Sequence, residues 1–366
     1  MKPRRILIAP DKFKGTLTAD QAARAIAAGW RKVHPRDAVT LAPISDGGDG
    51  FGAILGSTFG ARARRVSTVN AAGEKIRATW WMEPDSGTAI IESANIIGLA
   101  MLPAGRFHPF QLDTTGLGQV LKAAAQAGAR RCFVGIGGSA TNDGGFGLAR
   151  ELGWRFLTGK GAEITSWTNL PDLREIRAPA KHRLFRQLNV AVDVSNPLLG
   201  KLGCSRIYGP QKGLQKADFA AAEKALSALA KARGEDFAKE PGAGAAGGLG
   251  FGLSAFANAR LQPGFSLIAK ALNLRTLIRR SDLVLTGEGM MDRSTAMGKG
   301  TGELATLCGE LNRPCIGLGG RVEDRAALRG RFADCHAVVE IAGSEAAMAR
   351  PAHWLASLAK SVAACS

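Results

Sequence analysis

Short apolar segments, each followed by a loop rich in glycine or acidic residues, constrain the fold of this chain more than any other feature. Residues 6–9, 89–91 and 132–134 are three such segments. Apolar runs of this length, bounded by turn-forming residues, are typical of strands that are buried on both faces of a parallel sheet. Helical patterns, such as residues 117–127, lie between them. Because strands and helices alternate along the chain, the sequence predicts an α/β fold.

The length of the chain and the distribution of these segments predict two domains. At 366 residues the chain is too long for one small domain. Further strands are predicted near the end, at residues 282–286, 313–318 and 336–341, before a closing helix over 346–363. We therefore predict a Rossmann- or flavodoxin-like parallel-sheet domain formed by residues 1–68 and 283–366. A second α/β domain is predicted as an insertion of residues 69–282.

The strongly basic composition gives little support to nucleic-acid binding. The formal net charge is +17, and a basic surface can attract nucleic acid or small anions. The sequence has no long basic run, no RNA-binding aromatic signature and no zinc-finger spacing. We therefore expect no nucleic-acid partner, and we interpret the charge as solvated surface residues with a mild preference for anionic substrates.

No targeting or membrane-spanning segment is predicted. The apolar run near the N-terminus covers only residues 6–9, which is too short for a signal-peptide core. No apolar run reaches about 18 residues, the minimum for a transmembrane helix. The six cysteines contain no C-x-x-C pair and are expected to be buried free thiols. The sequence thus predicts a cytoplasmic protein without a membrane partner.

Five polar loops follow predicted strands, which is where an open α/β sheet binds its ligands. These loops are residues 10–15, 45–50, 135–145, 193–200 and 287–292. The 135–145 loop is rich in glycine, and glycines allow successive backbone N–H groups to approach a phosphate. The alternative to a phosphate-binding role for this loop is a purely structural turn. Together the loops predict an active site that is assembled from distant parts of the sequence.

Several common catalytic motifs do not occur in the sequence. The 135–145 loop nearly matches the dinucleotide fingerprint G-x-G-x-x-A, but Asn142-Asp143-Gly144-Gly145 prolongs the loop where a helix should begin. Gly298-Lys299-Gly300 lacks the upstream glycine and the hydroxyl of a P-loop. Protein-kinase motifs, the G-x-S-x-G elbow of serine hydrolases and zinc-ligand pairs do not occur either. Nicotinamide binding, P-loop chemistry, serine hydrolysis and a zinc site are therefore disfavoured.

The loops contain the three types of group that phosphoryl transfer requires: Mg²⁺ ligands, cations, and a carboxylate near the attacking hydroxyl. The hard oxygen donors are Asp46, Asp49, Asp143, Asp193, Glu288 and Asp292. The cations able to neutralise a phosphate or a carboxylate are Lys12, Lys14 and Lys212. For each carboxylate the alternative is a loop-capping role. For Lys14 and Lys299 the alternative interpretation is a solvated surface charge.

The motifs in these loops resemble, in the same order, those of bacterial glycerate kinases of the glycerate 2-kinase type. The segments that carry the resemblance are residues 10–15, 46–50, 135–145, 193–200, 209–213, 242–250 and 287–289. The resemblance implies ATP and Mg²⁺ as cofactors and D-glycerate as substrate. The implied products are ADP and a phosphoglycerate, which in this class is 2-phosphoglycerate. It also implies an active site in the cleft between two α/β domains.

Motif position assigns a hypothetical role to each candidate residue. Catalytic roles fall to Asp193 as the general base and to Lys12, Asn142 and Asp143. ATP or phosphate binding falls to Gly137, Gly138, Ser139, Thr141, Lys212, Gly287 and Gly289. Substrate binding falls to Asp46, Gly47, Gly48 and Lys14, and metal binding to Asp46, Glu288 and Asp292.

Four positions depart from the pattern of the resembled family. Met290-Met291-Asp292 stands where Arg-x-Asp is usual, so Arg293 or another cation must replace that arginine if it holds phosphate or substrate. Tyr208, Ser45 and Asp49 stand where phenylalanine, alanine and glutamate are usual. Two alternatives stay open: a kinase or phosphatase for another small hydroxy acid, and a nucleotide-binding regulator without turnover. The oligomeric state stays open between monomer and homodimer.

Overall fold

The computed structural model of the chain describes residues 2–180, 183–296 and 300–366, so Lys299 lies outside the described residues. The chain divides into two compact units. Unit 1 contains the residues up to Asp46 together with Phe265–Ser366, and unit 2 is Gly47–Gly264. These limits differ from the predicted domain boundaries. Residue 68 lies inside a strand that pairs within unit 2, and the helices that follow Gly264 belong to unit 1.

The strands of the described residues are short. They are β1 (Arg5–Ile8), β2 (Ala38–Leu41), β3 (Arg62–Val69), β4 (Lys75–Glu83), β5 (Thr88–Glu92), β6 (Arg131–Gly135), β7 (Arg155–Thr158), β8 (Leu173–Arg177), β9 (Gln187–Val192), β10 (Arg260–Pro263), β11 (Leu283–Thr286), β12 (Met290–Met291), β13 (Cys315–Gly319), β14 (Arg321–Val322) and β15 (Asp334–Ala337).

Helices alternate with these strands. They are α1 (Ala19–Arg31), α2 (Phe51–Thr58), α3 (Ala94–Ile97), α4 (Thr115–Gln126), α5 (Phe146–Glu151), α6 (Cys204–Ile207), α7 (Gly209–Lys212), α8 (Phe219–Arg233), α9 (Glu235–Lys239), α10 (Ala245–Ala257), α11 (Gly264–Ala271), α12 (Leu274–Arg280), α13 (Arg293–Ala296), α14 (Gly300–Glu310), α15 (Arg325–Leu328), α16 (Val338–Ala342), α17 (Ser344–Ala349) and α18 (Pro351–Ala364). Short 3₁₀ turns lie at Leu99–Met101, Pro109–Gln111, Trp167–Asp172 and Lys216–Asp218.

Unit 1 is built on a parallel sheet with the strand order β2-β1-β11-β13-β15. Numbered within the sheet, this is the flavodoxin-like order 2-1-3-4-5. The predicted α/β class with a flavodoxin-like parallel sheet is therefore confirmed. After β1 the chain forms β2 on one side of it, and the later strand β11 lies on the other side of β1. The strand order therefore reverses between β1 and β11. Ligands of such sheets bind at this switch point, beyond the carboxyl ends of the strands.

The helices of unit 1 are fixed by local signals as well as by packing. Thr18 and Gln21 form the capping box predicted at the start of α1, with the Gln21 N–H donating to Thr18 Oγ1 at 3.2 Å. Helix α1 packs closely on α18, because a Cβ on Gly29 would lie only 2.0 Å from the carbonyl oxygen of Ala356. A larger residue at position 29 would push the two helices apart.

Two predictions for the end of the chain were wrong. The last strand does not span 336–341: β15 ends at Ala337, and α16 begins at Val338. The closing helix does not run unbroken over 346–363 either, because α17 ends at Ala349 and α18 begins at Pro351. Proline has no backbone N–H and is tolerated in the first turn of a helix, so it begins a new helix instead of continuing one.

Unit 2 is built on a mixed sheet with the order β3-β4-β5-β6-β9-β10. Strand β4 runs antiparallel to both of its neighbours, whereas β5, β6, β9 and β10 are parallel to one another. The carboxyl ends of these four strands therefore meet at one edge. The 135–145 loop follows β6 and Asp193 follows β9 at that edge. No helix in the described ranges is long and apolar enough to cross a membrane.

The glycine-rich run 242–250 is a packed element of unit 2 and not a flexible linker. Ala246, Gly247 and Gly248 adopt left-handed backbone angles at the start of α10. A Cβ on Gly247 would lie 1.9 Å from the carbonyl oxygen of Thr141, and a Cβ on Gly248 would lie 2.8 Å from the Cα of Gly144. Only glycine allows backbone segments to approach this closely. The backbone of the run therefore packs directly against the backbone of the 135–145 loop.

Replacing Gly247 by alanine is expected to destabilise the protein more than the same change at Gly73. Both glycines have positive φ, +71° and +77°, so both changes cost about 1–2 kcal/mol of backbone strain. Apart from its chain neighbours, Gly73 has no described atom within 4 Å of an added Cβ, whereas Gly247 would meet Thr141. The clash adds about 1–3 kcal/mol. Urea unfolding of both variants measures the difference, and equal losses of stability would contradict the packing role.

Candidate active site

Three carboxylates of unit 1 lie close together at the switch point of its sheet. Asp11 follows β1 and is buried, Asp46 lies beyond β2, and Glu288 follows β11. The Asp11 N–H donates to the Gly287 carbonyl at 2.9 Å, which holds the two loops together. Burial, together with the charges of Asp46 and Glu288, raises the pKa of Asp11 to about 7 against the opposing charge of Lys12. The cluster is therefore a site of concentrated negative charge.

Glu288 is held by two buried threonines. Thr295 Oγ1 donates to Glu288 Oε1 at 2.9 Å, and Thr301 Oγ1 donates to the same oxygen. Both threonines are buried, so these bonds fix the carboxylate orientation in an environment of low dielectric constant. Motif reasoning missed Thr295 and Thr301, because their hydroxyls carry no signal until the fold brings them to Glu288.

Asp292 lies in the same unit but has a local structural role. Its Oδ1 accepts from the N–H and the hydroxyl of Ser294, at the start of α13. This is the loop-capping alternative considered for every candidate carboxylate. Met290 beside it is exposed, whereas the buried Met291 lies against Gly317, where an added Cβ would be 2.5 Å from Met291 Cε. Met291 thus packs in the core of unit 1.

The oxygen donors of unit 1 fit a Mg²⁺ ion that is completed by its substrate. Among the described residues, no group of three or more His, Cys, Asp or Glu side chains is arranged as a metal site. Mg²⁺ is usually bound by one or two carboxylates together with substrate phosphates and water. The mutual repulsion of Asp11, Asp46 and Glu288 is what a divalent cation would offset. Asp46 and Glu288 are therefore suited to hold the metal.

The remaining predicted residues of unit 1 shape its loops. Lys12 is half-buried and Lys14 is exposed. Gly287 and Gly289 permit close backbone contacts, because a Cβ would lie 1.9 Å from Leu318 O at position 287 and 3.1 Å from Lys14 N at position 289. The two glycines thus pack the loop after β11 onto its neighbours. Their predicted contact with phosphate stays a prediction.

In unit 2 the loop before α2 packs against the start of the 135–145 loop. The Gly137 N–H donates to the Gly47 carbonyl at 3.2 Å, and a Cβ on Gly137 would lie 2.7 Å from the Cα of Gly48. Glu92 accepts from the N–H groups of Gly50 and Gly52 at 3.2 and 2.9 Å, which fixes the start of α2. Glu92 was not among the predicted site residues. Its only signal was an acidic residue at the end of an apolar run.

The 135–145 loop uses much of its hydrogen-bonding capacity within the protein. Ser139 and Thr141 share a hydrogen bond between their hydroxyls at 2.9 Å, and the Thr141 N–H donates to Ser139 Oγ at 3.1 Å. The Ala140 N–H donates to the Ile97 carbonyl at 2.9 Å. Gly138 is exposed with φ +77° and is the most accessible glycine of the predicted phosphate set in this loop. Any phosphate contact of this loop is therefore expected near Gly138.

Asp143 is a buried anchor. Its carboxylate accepts from the N–H and hydroxyl of Thr114 at 3.0 and 2.8 Å, and from the N–H groups of Gly147 and Gly145 at 2.9 and 3.2 Å. Burial and the charge of Asp113 raise the pKa of Asp143 to about 6 despite these bonds. Asp143 thus positions the loop and the starts of α4 and α5.

Asn142 is also fully buried, beside Asp143. Its Nδ2 donates to Ser205 Oγ at 3.0 Å. Its Oδ1 has no hydrogen-bond partner within the described part of the chain. A buried amide oxygen of this kind can accept a hydrogen bond from a hydroxyl group or a water molecule. Contact with a phosphate or carboxylate oxygen is unfavourable, because those oxygens are acceptors too.

Lys212 and Asp193 lie near each other in unit 2. Lys212 is buried at the end of α7, and its Nζ donates to the Thr141 carbonyl at 2.7 Å. Burial lowers the pKa of Lys212 to about 8, while the negative charges near it, including Asp193, oppose this shift. Asp193 is exposed beyond β9. An exposed carboxylate thus lies within electrostatic range of a desolvated ammonium group, and perturbed groups of this kind concentrate at functional sites.

Comparison with known proteins points to one family. The profile of the glycerate kinase family matches residues 6–366. A glycerate 2-kinase from Escherichia coli K12 is 38% identical over 328 residues, which cover 87% of this chain and 86% of that protein. A glycerate kinase from Halalkalibacterium halodurans is 38% identical over 322 residues, covering 86% and 85%. A solved structure named as glycerate kinase 2 from Salmonella typhimurium LT2 matches with a TM-score of 0.85 at 31% identity, covering 100% of this chain and 98% of that one.

Replacing Lys212 by methionine is expected to change the pH dependence of stability. The folded-state pKa of about 8 lies below the ordinary value of 10.5, so the wild-type protein loses stability as the pH falls from 10.5 through 8. The variant lacks this loss. Its free energy of unfolding relative to wild type should therefore decrease as the pH rises from about 8 to 10.5.

Denaturant unfolding at several pH values measures this difference. Lys224→Met removes an exposed lysine from α8 and serves as the matched control, with a stability difference that changes little over the same range. A Lys212→Met difference that does not change with pH would contradict the buried, perturbed ammonium group.

Proposed function

This chain belongs to the glycerate kinase family and is a kinase, and we propose that it transfers the γ-phosphoryl group of ATP to D-glycerate. The products are 2-phosphoglycerate and ADP. The observation that carries the proposal is the pair of Asp193 and Lys212 at the carboxyl edge of the unit 2 sheet. Family membership supports glycerate as the substrate. The choice of ATP and of the 2-hydroxyl group rests on the motif resemblance.

Asp193 acts as the general base in the proposed reaction. It accepts the proton of the attacking hydroxyl while the glycerate oxygen forms a bond to the γ-phosphorus. The bond between that phosphorus and the β,γ-bridging oxygen breaks, and ADP leaves. Exposure of Asp193 permits contact with a small substrate, and Lys212 lies within electrostatic range of it.

Lys212 stabilises negative charge on the phosphoryl group or on the substrate carboxylate. Its ammonium group is desolvated, so its interaction with an anion is stronger than in water. Asn142 and Asp143, predicted as catalytic, act as positioning residues in this proposal because both are fully buried. Asn142 Oδ1, which has no hydrogen-bond partner among the described residues, is available to a hydroxyl donor or to an ordered water molecule.

Unit 1 supplies the metal ligands in this proposal. Asp46 and Glu288 hold Mg²⁺, which when bound neutralises charge on the phosphates of the nucleotide. Asp292 remains a candidate ligand, although Ser294 already occupies its Oδ1. Lys12 and Lys14 are candidates for phosphate and substrate contacts. A cytoplasmic location, the absence of nucleic-acid partners and the choice between monomer and homodimer stay predictions.

The first test is ADP release from MgATP with D-glycerate, L-glycerate, another small hydroxy acid or no acceptor. Release that requires D-glycerate is expected, and phosphorus–proton coupling in the product should place the phosphate on the 2-hydroxyl. Coupling to the terminal CH₂ protons would assign 3-phosphoglycerate instead. Release with a different hydroxy acid would support the first alternative, and nucleotide binding without any ADP release would support the regulator.

Replacing Asp193 by asparagine is expected to lower kcat by about 10²–10⁴-fold, the usual contribution of a general base. The KM for MgATP should change little, because the substitution keeps the size of the side chain and removes only its basicity. Asp236→Asn, at an exposed position in α9, is the matched control. Steady-state kinetics of the two variants measure the effect, and an unchanged kcat in Asp193→Asn would rule out this residue as the base.

A further inference from the structure

A pair of side chains fastens the loop that carries Asp193 to the segment that carries Lys212. Tyr208 Oη donates to Asn196 Oδ1 at 2.6 Å. Asn196 Nδ2 in turn donates to the Leu202 carbonyl at 2.8 Å. The side-chain amide of Asn196 therefore connects the 193–200 loop with the residues just before α6 and with Tyr208 at the end of that helix.

The backbone around Asn196 is equally constrained. Its carbonyl accepts from the Gly244 N–H at 2.9 Å, and a Cβ on Gly244 would lie 2.2 Å from the carbonyl oxygen of Pro197. The glycine-rich run thus presses directly against the 193–200 loop. Asn196 is the residue where the loop after β9, the glycine-rich run and the α6–α7 segment are joined.

Tyr208 transmits this constraint to Lys212. It is the residue between α6 and α7, and its N–H donates to the Cys204 carbonyl at 2.9 Å. Lys212 is the last residue of α7, four positions and about one helical turn later. A displacement of the tyrosine would therefore shift the helix that carries the catalytic ammonium group.

We propose that Tyr208 and Asn196 form a positioning pair that fixes the distance between Asp193 and Lys212 during phosphoryl transfer. The inference rests on the proposed function. The hydroxyl of Tyr208 is what makes the pair, because phenylalanine, the usual residue of the resembled family here, would leave Asn196 Oδ1 without its tyrosine donor. Asp193 lies in the same 193–200 loop as Asn196, and burial, followed by the charges of Asp193 and Cys204, raises the pKa of Tyr208 to about 12.

The kinetic test compares Tyr208→Phe, Asn196→Ala and the double variant. Tyr208→Phe removes one oxygen atom without changing the shape of the ring. We expect kcat to fall about 10-fold with the KM for MgATP within about 2-fold, because misplacing reacting groups slows chemistry more than it weakens binding. The kcat of the double variant should be no lower than that of Asn196→Ala alone, because the two residues act as a unit. Thr158→Val, which removes a hydroxyl acceptor at the end of β7, is the matched control.

An unchanged kcat in Tyr208→Phe would overturn the proposal, and so would losses that simply add in the double variant. Uniform loss of folded protein, measured by circular dichroism, would identify a merely structural role and would also overturn it. These outcomes differ from failure of the proposed function, in which the wild-type protein releases no ADP with D-glycerate.

Tyr208 is the single tyrosine of the chain, so tyrosinate absorbance reports on this residue alone. The absorbance is titrated over the alkaline range in which circular dichroism shows a retained fold. Asp193→Asn removes the neighbouring negative charge, and we expect Tyr208 to ionise at lower pH than in the wild-type protein. Asp236→Asn should leave the titration unchanged. An identical titration in wild type and Asp193→Asn would place Asp193 away from Tyr208 and overturn the proposal without any assay of activity.

Discussion

Direct contact between backbone segments that lack side chains is the constraint on which the unit 2 site depends. The glycine-rich run approaches the 135–145 loop so closely that a Cβ on Gly247 would lie 1.9 Å from the Thr141 carbonyl. That carbonyl is also the acceptor for Lys212 Nζ. The same run binds the backbone of Asn196 through Gly244. Glycine packing therefore fixes both the buried ammonium group and the loop that carries Asp193.

Buried charge is the second theme of the structure, and it opposes stability. Burial lowers the pKa of Lys212 and raises the pKa of Asp143 and Asp11. Ionised groups in such surroundings are less stable than in water. Asp143 is compensated by four hydrogen-bond donors, whereas Lys212 has one carbonyl and the charges around it. Perturbed groups of this kind concentrate at functional sites, where activity and not stability determines which residue is retained.

Part of the site could be predicted because it depends on local chemistry. Asp193 and Lys212 were selected as a carboxylate and a cation in motif loops, and the structure brings them within electrostatic range. The roles of Asn142 and Asp143 could not be predicted, since Asn142 packs against Gly247 of the glycine-rich run and Asp143 accepts from Thr114, which are both distant in sequence. Glu92 was missed because its partners, Gly50 and Gly52, lie in a different loop, far from it in sequence. Thr295 and Thr301 were missed because no motif marks the hydroxyls that bond Glu288.

The sequence by itself determined the class of the fold and most of the order of its elements, although not the bounds of those near the end of the chain. Apolar runs, capping residues and glycine loops are local signals, so they predicted the alternation of strands and helices, the flavodoxin-like sheet and the polar loops at the carboxyl ends of its strands. Tertiary structure alone decided which candidates are buried, which are capped and which are exposed. Asp292 caps a helix, Asp143 anchors a loop, and Asp193 remains accessible. Burial and hydrogen-bond partners are set by contacts between distant segments, and three aspartates that look alike in sequence therefore take three different roles.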